Sequence, residues 1–373
     1  MQQHISDILL RLFGEHARRY PLMEPRDAVK LLYQQSFGGG HLVTDEAACA
    51  AWIKKERTEA PAVSCPFESI GGGLLRMHLG HPAIHALPAA LLARIFCVSS
   101  NQPRDGMPAF LEGLDVLREA ARQGLFAFSA ETLESYLQEY LVAGCPMVRH
   151  SETFNRAYHP AYRVIDSRFR AIWPLLAPLW KTMEKNGRFT LAMDGMTASG
   201  KTTAAGLLQM LFGGSVVHMD DFFLPPQLRT AGRLATPGGN VHYERFCEEV
   251  VEPLRRGEPF AYRVFDCGRM AFHGTSETID PAGNILIEGS YALHPAFGAL
   301  PDEPVKEAGR YPIDHAAFLR IDPQLQRKRI LRRNGEAMLQ MFENRWIPME
   351  NAYRTAWEAR LAPFDLPVEE EEK

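Results

Sequence analysis

Residues 189–212 read FTLAMDGMTASGKTTAAGLLQMLF, and this stretch decides the fold of the second half of the chain. It begins with a short apolar run, continues through a loop that contains Gly195 and Gly200, and ends in a segment of good helix formers. Residues 195–202 match the pattern G-x-x-x-x-G-K-[ST] in full. In such a loop the glycines permit a tight turn, so that backbone N–H groups point at phosphate oxygens. The sequence therefore predicts a strand, a phosphate-binding loop (P-loop) and a helix, in that order.

The chemistry of the loop follows from its residue types. Lys201 is expected to reach the β- and γ-phosphates of a nucleotide, and the Thr202 hydroxyl is expected to bind Mg²⁺. The positive N-terminal end of the following helix adds to the attraction for an anion. A glycine-rich turn that binds nothing is the alternative, which the full match and its strand-to-helix setting disfavour. The residues predicted to hold the nucleotide are Gly195, Thr197, Ala198, Ser199, Gly200, Lys201, Thr202 and Thr203.

The pattern of apolar residues differs between the two sides of this loop. Towards the C-terminus, short apolar runs alternate with helical segments, which favours an α/β fold with a parallel sheet flanked by helices. Towards the N-terminus the apolar spacing is mostly helical, with a small hairpin expected around Gly71, Gly72 and Gly73. We therefore expect three parts: a mostly α-helical domain of unknown role (1–165), a linker helix (166–187) and a P-loop domain (188–373). The acidic run at 369–372 is expected to be a solvated tail.

Carboxylates follow two of the predicted strands. Asp220 and Asp221 come directly after the run at 215–219, and Glu288 follows the run at 285–287. Because parallel strands end at the same edge of a sheet, these groups are expected beside the phosphate crevice. Asp220 is predicted to accept a proton from an attacking hydroxyl, and Glu288 to act near the metal, as in a Walker B element. A turn cap is the alternative for each, and it is stronger for Asp221.

Arginines cluster on a predicted helix that follows the strand at 316–321. Among residues 327–333, Arg329 and Arg332 share a helix face. Guanidinium groups match phosphate oxygens, so a lid that carries these two arginines would stabilise a transferring phosphoryl group. A solvated basic face is the alternative.

The acceptor side is less sharply marked. A loop rich in Pro and Gly at 224–240 precedes Tyr243, Tyr262 and Asp266. Together with Asp221, these three residues are predicted to contact the second substrate, the aromatic rings by sandwiching a planar group. Core packing is the alternative for the two tyrosines.

Taken in order, residues 197–203, Asp220-Asp221-Phe222-Phe223, Glu288-Gly289 and the arginine-rich helix resemble the uridine kinase and phosphoribulokinase group. The resemblance covers roughly residues 188–362 and implies a five-stranded parallel sheet. It implies transfer of the γ-phosphate of ATP to a small-molecule hydroxyl, with Asp220 as catalytic base and with Arg329 and Arg332 in the lid. Uridine-type kinases carry a histidine in the nucleobase loop, whereas residues 260–268 contain none. This departure counts against uridine itself as the acceptor.

Composition excludes several other classes of protein. The chain has 373 residues and a net charge of −4, so there is no general basic footprint for nucleic acid. No apolar run is long enough for a transmembrane helix, and the N-terminus lacks the pattern of a signal peptide. Six cysteines with no C-x-x-C pair fit a reducing cytoplasm. The oligomeric state stays open.

The sequence thus predicts an ATP- and Mg²⁺-dependent kinase for a small-molecule acceptor, with a nucleoside-like metabolite as the first choice. Pantothenate or a sugar is an alternative acceptor for the same machinery. An ATP-dependent regulatory switch is a second alternative, in which the N-terminal domain would sense the nucleotide.

Overall fold

The computed structural model describes residues 2–39, 45–102, 104–305 and 309–368, so the acidic run at 369–372 lies outside them. The chain divides into two compact units, with the boundary between Phe169 and Arg170. No helix among the described residues is long and apolar enough to cross a membrane.

Among its described residues, the first unit combines eight helices with a three-stranded antiparallel sheet of order β1-β2-β3. The helices are α1 (Gln2–Arg19), α2 (Pro25–Phe37), α3 (Glu46–Glu59), α4 (Pro82–His85), α5 (Ala89–Ser100), α6 (Met107–Arg122), α7 (Ala130–Val142) and α8 (Glu152–Tyr158). The strands are β1 (Phe67–Gly71), β2 (Leu74–His78) and β3 (Tyr162–Asp166).

The hairpin of the first unit lies where three glycines predict it. Gly71, Gly72 and Gly73 all adopt positive φ, between 61° and 72°, which only glycine does without strain. The third strand pairs with β2 and was not predicted, because a five-residue run gives little periodicity to detect. Helix α3 was also not predicted; its N-terminus is capped by Asp45, whose side chain accepts from the N–H of Ala48.

The first unit has its own apolar core. Phe13 of α1, Leu32 of α2 and Phe110 of α6 are buried in it. A methyl group at Gly113 of α6 would lie 2.5 Å from Leu32, so the small residue lets α2 and α6 approach closely.

The second unit is built on a five-stranded parallel sheet of order β10-β9-β4-β8-β5. Its strands are β4 (Thr190–Gly195), β5 (Ser215–His218), β8 (Ile285–Glu288), β9 (His315–Ile321) and β10 (Asp365–Val368), and a separate hairpin is formed by β6 (Arg263–Asp266) and β7 (Ala271–Thr275). Every residue of β4 and β8 is buried, as expected for inner strands covered on both faces. This is the predicted α/β P-loop fold, with β10 as an edge strand that the sequence did not reveal.

Helices and tight turns surround this sheet. The α-helices are α9 (Phe169–Asn186), α10 (Lys201–Phe212), α11 (Ala231–Ala235), α12 (Tyr243–Phe246), α13 (Glu252–Arg256), α14 (Pro323–Asn334), α15 (Glu336–Met341), α16 (Ile347–Ala356) and α17 (Glu358–Leu361). The 3₁₀ turns are Met219–Phe222, Pro226–Leu228, Pro295–Phe297 and Ala362–Phe364, and the π-helical turns are Cys247–Val251 and Phe342–Trp346. The segment expected to be a linker, at 166–187, is mostly α9, which groups with the second unit.

The strand order determines where a ligand site forms. The chain runs from β4 to β5, returns to β8 between them, and then crosses to β9 on the other side of β4. Open parallel sheets bind ligands at such a reversal, outside the carboxyl ends of the strands. The carboxyl ends of β4, β5 and β8 carry Gly195, His218 and Glu288, and the register pairs Glu288 with both Met193 and His218.

Candidate functional site: a phosphate-binding crevice

The backbone of the P-loop depends on its first glycine. Gly195 ends β4 with a φ of 146°, and a Cβ there would lie 2.5 Å from the carbonyl oxygen of Leu319 on β9. No L-residue with a side chain fits both constraints. Ala198 also takes a positive φ, of 61°, and Gly200 one of 100°, which turns the chain into the first residue of α10.

The loop presents a set of donors that the chain itself does not use. Among the described residues, no acceptor is found for the backbone N–H groups of Ala198, Gly200, Lys201, Thr202 and Thr203. The hydroxyl of Ser199 is buried and also has no partner. Buried polar groups are almost always hydrogen-bonded, so a cluster of unused donors at a helix N-terminus is the mark of an anion site.

Lys201 lies in the same cradle. It is 9% exposed, and its Nζ donates to the carbonyl oxygens of Gly195 (2.8 Å) and Met196 (3.0 Å). Because these acceptors are neutral, the ammonium charge is not cancelled by a directly bonded carboxylate.

Thr202 and Glu288 meet across the crevice. The Thr202 hydroxyl lies 3.2 Å from both carboxylate oxygens of Glu288, which is 4% exposed. His218, at the end of β5, places its Nδ1 2.6 Å from Glu288 Oε1. This hydrogen bond raises the pKa of His218 above its usual value, against the effect of burial.

These oxygens suit a hard cation. Mg²⁺ prefers oxygen ligands and usually takes only one or two from protein, the rest coming from phosphate and water. Among the described residues, no group of three or more His, Cys, Asp and Glu side chains is arranged to hold a metal. The Thr202–Glu288 pair therefore fits a metal that is bound together with a nucleotide.

Asp220 lies at the same edge, in the turn after β5. Its side chain is exposed, but many protein atoms surround it, and this partial loss of solvent raises the pKa of its carboxyl. The charge of Glu288 raises this pKa further, while Lys201 and Arg333 lower it. The neighbouring Asp221 is half-buried and hydrogen-bonded to the Tyr262 hydroxyl. The two aspartates thus differ: Asp220 faces the crevice charges, and Asp221 is tied to a core tyrosine.

Helix α14 contacts the P-loop directly. Arg329 donates from Nη1 to the Ala198 carbonyl at 3.2 Å, and Gln326 donates from Nε2 to the Thr197 carbonyl at 3.0 Å. Arg332 is exposed, and the structure does not bring it to this group. Arg333 acts on Asp220 instead, since its charge lowers the pKa of that carboxyl. Arg333 is exposed as well, so the role of Arg332 in a lid stays a prediction, and Arg333 is a second candidate on the same helix.

Three residues predicted to bind the acceptor have partners within their own chain. Tyr262 is 3% exposed, with its ring centroid 5.0 Å from that of Phe222, so it belongs to the core. Tyr243 lies under the Arg233 guanidinium, 3.7 Å from the ring centroid, and also stacks on His294. Asp266 accepts from the N–H groups of Gly268 and Arg269 and closes the β6–β7 turn. Each of the three thus has a structural role within the chain, and their contact with an acceptor stays a prediction.

A second set of residues holds the cradle and was missed in the sequence. Glu350, on α16, accepts from the Thr197 N–H (2.8 Å), the Thr197 hydroxyl (2.5 Å) and the Ser290 hydroxyl (3.0 Å). Tyr353, one turn later, donates to Asp194 Oδ2 at 3.0 Å.

Asp194 is the anchor under the loop. It is buried and accepts the N–H groups of Gly195 (2.6 Å), Tyr291 (2.8 Å) and Leu293 (3.0 Å). Burial raises the pKa of Asp194, and these hydrogen bonds oppose that shift. The sequence could have indicated Asp194, because it directly precedes Gly195 of the P-loop motif. No motif surrounds Glu350 or His218, so their roles could not be predicted.

Comparisons with known proteins follow this geometry. No protein-family model and no curated protein matches the chain in sequence. Among 46 matching chains of solved structures is a protein from Silicibacter sp. TM1040 described as a candidate fructose transport system kinase, at 23% identity and a TM-score of 0.35, covering 48% of this chain and 89% of its own. Another is a protein from Bacillus stearothermophilus described as a candidate uridine kinase, at 18% identity and a TM-score of 0.31, covering 49% of this chain and 89% of its own. At such values these likenesses carry no argument about what this chain binds.

Proposed function

We propose that this protein is an ATP- and Mg²⁺-dependent kinase that transfers the γ-phosphate to a hydroxyl group of a small acceptor. One observation carries the proposal. The unused donors of the P-loop, the Thr202–Glu288 oxygen pair and the Asp220 carboxylate lie at the carboxyl edge of one sheet, at the reversal of strand order. A phosphate cradle alone fits any nucleotide-binding protein, whereas a carboxylate with a raised pKa beside it fits proton abstraction.

The roles of the residues follow from their positions. Backbone N–H groups and Lys201 bind the β- and γ-phosphates, and Thr202 and Glu288 would hold the magnesium ion. The bound ion would neutralise charge on the phosphate oxygens. Arg329 fixes the P-loop through the Ala198 carbonyl, and Arg333 places a second positive charge near the acceptor side.

In the proposed transfer, Asp220 is the base and ADP is the leaving group. The acceptor hydroxyl gives its proton to the carboxylate of Asp220, and its oxygen forms a bond to the γ-phosphorus. The bond between that phosphorus and the β,γ-bridging oxygen breaks, and ADP leaves with the bridging oxygen. Exclusion of water by the arginine-bearing helix limits hydrolysis of ATP without an acceptor.

A nucleoside-like metabolite is the acceptor class that the sequence resemblance favours. The aromatic residues expected to stack on it, Tyr243 and Tyr262, are engaged within the chain. The acceptor is therefore proposed only as a small molecule with a free hydroxyl, and a panel should include nucleosides, sugars and pantothenate.

The test is release of ADP from Mg-ATP against that panel, with Lys201→Ala as the blank. We expect one compound class to stimulate ADP release and to gain a phosphate by mass spectrometry. Asp220→Asn should lower transfer by about 10²–10⁴-fold while nucleotide binding persists. Asp302→Asn, at an exposed position away from the crevice, is the matched control.

Two outcomes would count against this proposal. Transfer by Asp220→Asn at the wild-type rate would remove the assigned base. Binding of ATP that depends on Lys201, with slow hydrolysis and no stimulating compound, would favour a nucleotide-dependent switch instead.

A further inference from the structure

A cavity in the first unit has no lining residue in common with the proposed kinase site. It has a volume of about 210 Å³ and is lined by Lys30, Tyr33, Gln34, Gly38, Gly39, Met147, Val148 and Arg149. Gln34, Gly38 and Val148 are buried and form its floor, whereas Met147 and Arg149 are exposed at its rim. The cavity therefore combines buried and exposed residues and is accessible from solvent.

Two cationic side chains line this cavity, and no carboxylate among the described residues is bonded to either. Lys30, on α2, donates from Nζ to the Val148 carbonyl at 3.0 Å. Among the described residues, Lys30 has no ion pair, and Arg149 has neither an ion pair nor a hydrogen bond. An ammonium group has three donors, so most of the hydrogen-bonding capacity at this cavity is unused.

A third cation lies directly behind the cavity wall. Gln34 Oε1 accepts from Arg76 Nη2 (2.9 Å) and Nε (3.2 Å), and Arg76 is 2% exposed. Its counter-ion Glu68 is shared, since Glu68 also binds Arg19 at 2.9 Å and the Tyr20 hydroxyl at 2.9 Å. One buried carboxylate thus faces two guanidinium groups, and this leaves an excess of positive charge beside Gln34.

Asp27, a carboxylate on the same helix as Lys30, already accepts hydrogen bonds from other residues. Asp27 accepts from the Ser151 hydroxyl (2.7 Å) and N–H (3.0 Å), and from the Glu24 N–H (2.9 Å). It also lies 2.9 Å from His150 Nδ1, and burial lowers the pKa of His150 to about 4, so this histidine is neutral. The named charged groups around the cavity are therefore four cations (Lys30, Arg149, Arg76 and Arg19) against two carboxylates (Asp27 and Glu68).

We propose that this cavity binds a small molecule through an oxyanion group, a phosphate or a carboxylate, held by Lys30 and Arg149. The volume equals about seven water molecules, and it lies below the usual range of drug-sized pockets. The ligand is therefore a compact anion, or the charged end of a small metabolite. The anion would supply the negative charge that Lys30 and Arg149 lack and that Arg76 shares with Arg19.

Such binding is coupled to a proton. Burial, together with the charges of Arg76 and Arg149, lowers the pKa of Lys30 to about 8, and Asp27 opposes this shift. A bound anion favours the charged form and raises that pKa, so binding takes up a proton when the free amine is neutral. Affinity is then full below about pH 8 and falls as the pH rises above it.

The test is isothermal titration of the full chain with inorganic phosphate and, separately, with malonate. The Lys201→Ala variant serves as the background, so that the P-loop does not contribute and the result does not depend on the proposed kinase activity. We expect Arg149→Gln and Lys30→Met each to weaken binding at least tenfold. Arg11→Gln and Lys54→Met, at exposed positions of the first unit, should leave it unchanged. The tighter of the two probes identifies the oxyanion.

Measuring the affinity as a function of pH shows whether Lys30 binds the anion or has only a structural role. With malonate, whose carboxyl groups stay ionised on the alkaline side of neutrality, affinity should fall above about pH 8 in the background protein. In Arg149→Gln the fall should persist but begin at higher pH, because this variant lacks a charge that lowers the pKa of Lys30. That fall should vanish in Lys30→Met. Absence of binding by both probes, or binding that neither substitution weakens, would overturn the proposal.

Discussion

At the scale of single residues, Lys201 has the most clearly defined role. Its ammonium group donates to two carbonyl oxygens of its own loop, so it is positioned before any phosphate arrives. Lys201→Ala should lower turnover by about 10²–10³-fold. The substitution removes a preorganised positive charge that stabilises the negative charge developing on the phosphate in the transition state. Nucleotide affinity, measured by titration, should fall with it. The exposed Lys185→Ala should change neither quantity.

Asp220 sets an expected pH dependence. A general base works in its ionised form, so the rate should fall as the pH drops through the pKa of Asp220. That acid limb should lie above the range of an ordinary aspartate, because surrounding protein and Glu288 raise this pKa. Arg333 lowers it, so Arg333→Gln should move the limb to still higher pH.

Arg332→Gln is the matched control for this shift, since Arg332 adjoins Arg333 on α14 and is exposed. Profiles of kcat against pH for the two variants check the prediction. An equal shift in both variants, or a larger one in Arg332→Gln, would contradict the role of Arg333 and favour Arg332, as the sequence predicts.

The residue scale also shows what the sequence could reveal. Residues 195–202 form the cradle from consecutive positions, so their pattern is fully local and predictable. Glu350 reaches Thr197 across 153 positions of chain, and no local pattern encodes such a contact. Tyr262 was ambiguous because an aromatic ring serves a core or a pocket equally well, and only its burial against Phe222 decides.

At the scale of elements, the junction of β4 with α10 depends on a missing side chain. Gly195→Ala should destabilise the second unit by about 1–3 kcal/mol or more, because the methyl group meets Leu319 backbone at positive φ. Gly206→Ala, inside α10 with open space around it, should instead stabilise by about 0.5–1 kcal/mol. Urea unfolding of both variants measures the pair, and a Gly195→Ala as stable as wild type would contradict the close approach to β9.

Helix α16 should affect nucleotide binding without touching the nucleotide. Glu350→Gln removes the charge that fixes Thr197, and hydrogen bonds to a charged group contribute about 1.5–3 kcal/mol. We expect weaker ATP binding and faster hydrogen exchange in residues 195–200. Glu358→Gln, on the exposed face of α17, is the control. If hydrogen exchange of residues 195–200 were unchanged in Glu350→Gln, the loop would keep its conformation without the Glu350 contact.

Elements were predictable from sequence to different degrees. The mostly helical apolar spacing predicted for the N-terminal part is found in helices such as α7 (Ala130–Val142), which also has an N-terminal serine cap. Strand β10 was not predicted, since its four residues include Pro367 and it lies at the sheet edge, where apolar patterning is weak. The sequence does not predict the β6–β7 hairpin, because every residue of β7 is exposed and its sequence has no apolar alternation to detect.

At the scale of the whole molecule, the first unit should be sensitive to acid. Burial lowers the pKa of His16 and of His150 from 6.5 to about 4, so both are neutral when folded. Between pH 6.5 and about 4 the unfolded chain binds more protons, and stability is therefore lost as the pH falls through this window. For His16 alone the full loss corresponds to about 3 kcal/mol.

The substitution His16→Gln tests this linkage. It keeps a donor for the Ser69 carbonyl but removes the titrating ring, so stability should depend less steeply on pH by about one proton. Hydrogen exchange of first-unit peptides across the pH window gives the measurement. The exposed His85→Gln should retain the wild-type slope, and a retained slope in His16→Gln would mean that other groups cause the acid sensitivity.

The hydrogen bonds of Glu350 and Tyr353 also set an order of events during synthesis. A ribosome makes the P-loop residues roughly 150 positions before it makes the two side chains that fix them. A nascent chain that has just passed residue 212 can form the strand and helix of the cradle, but Thr197 and Asp194 then lack these partners. Nucleotide binding by a growing chain should therefore mature late, once α16 has left the exit tunnel. Stalled chains ending on either side of this helix would differ in their retention on an ATP resin.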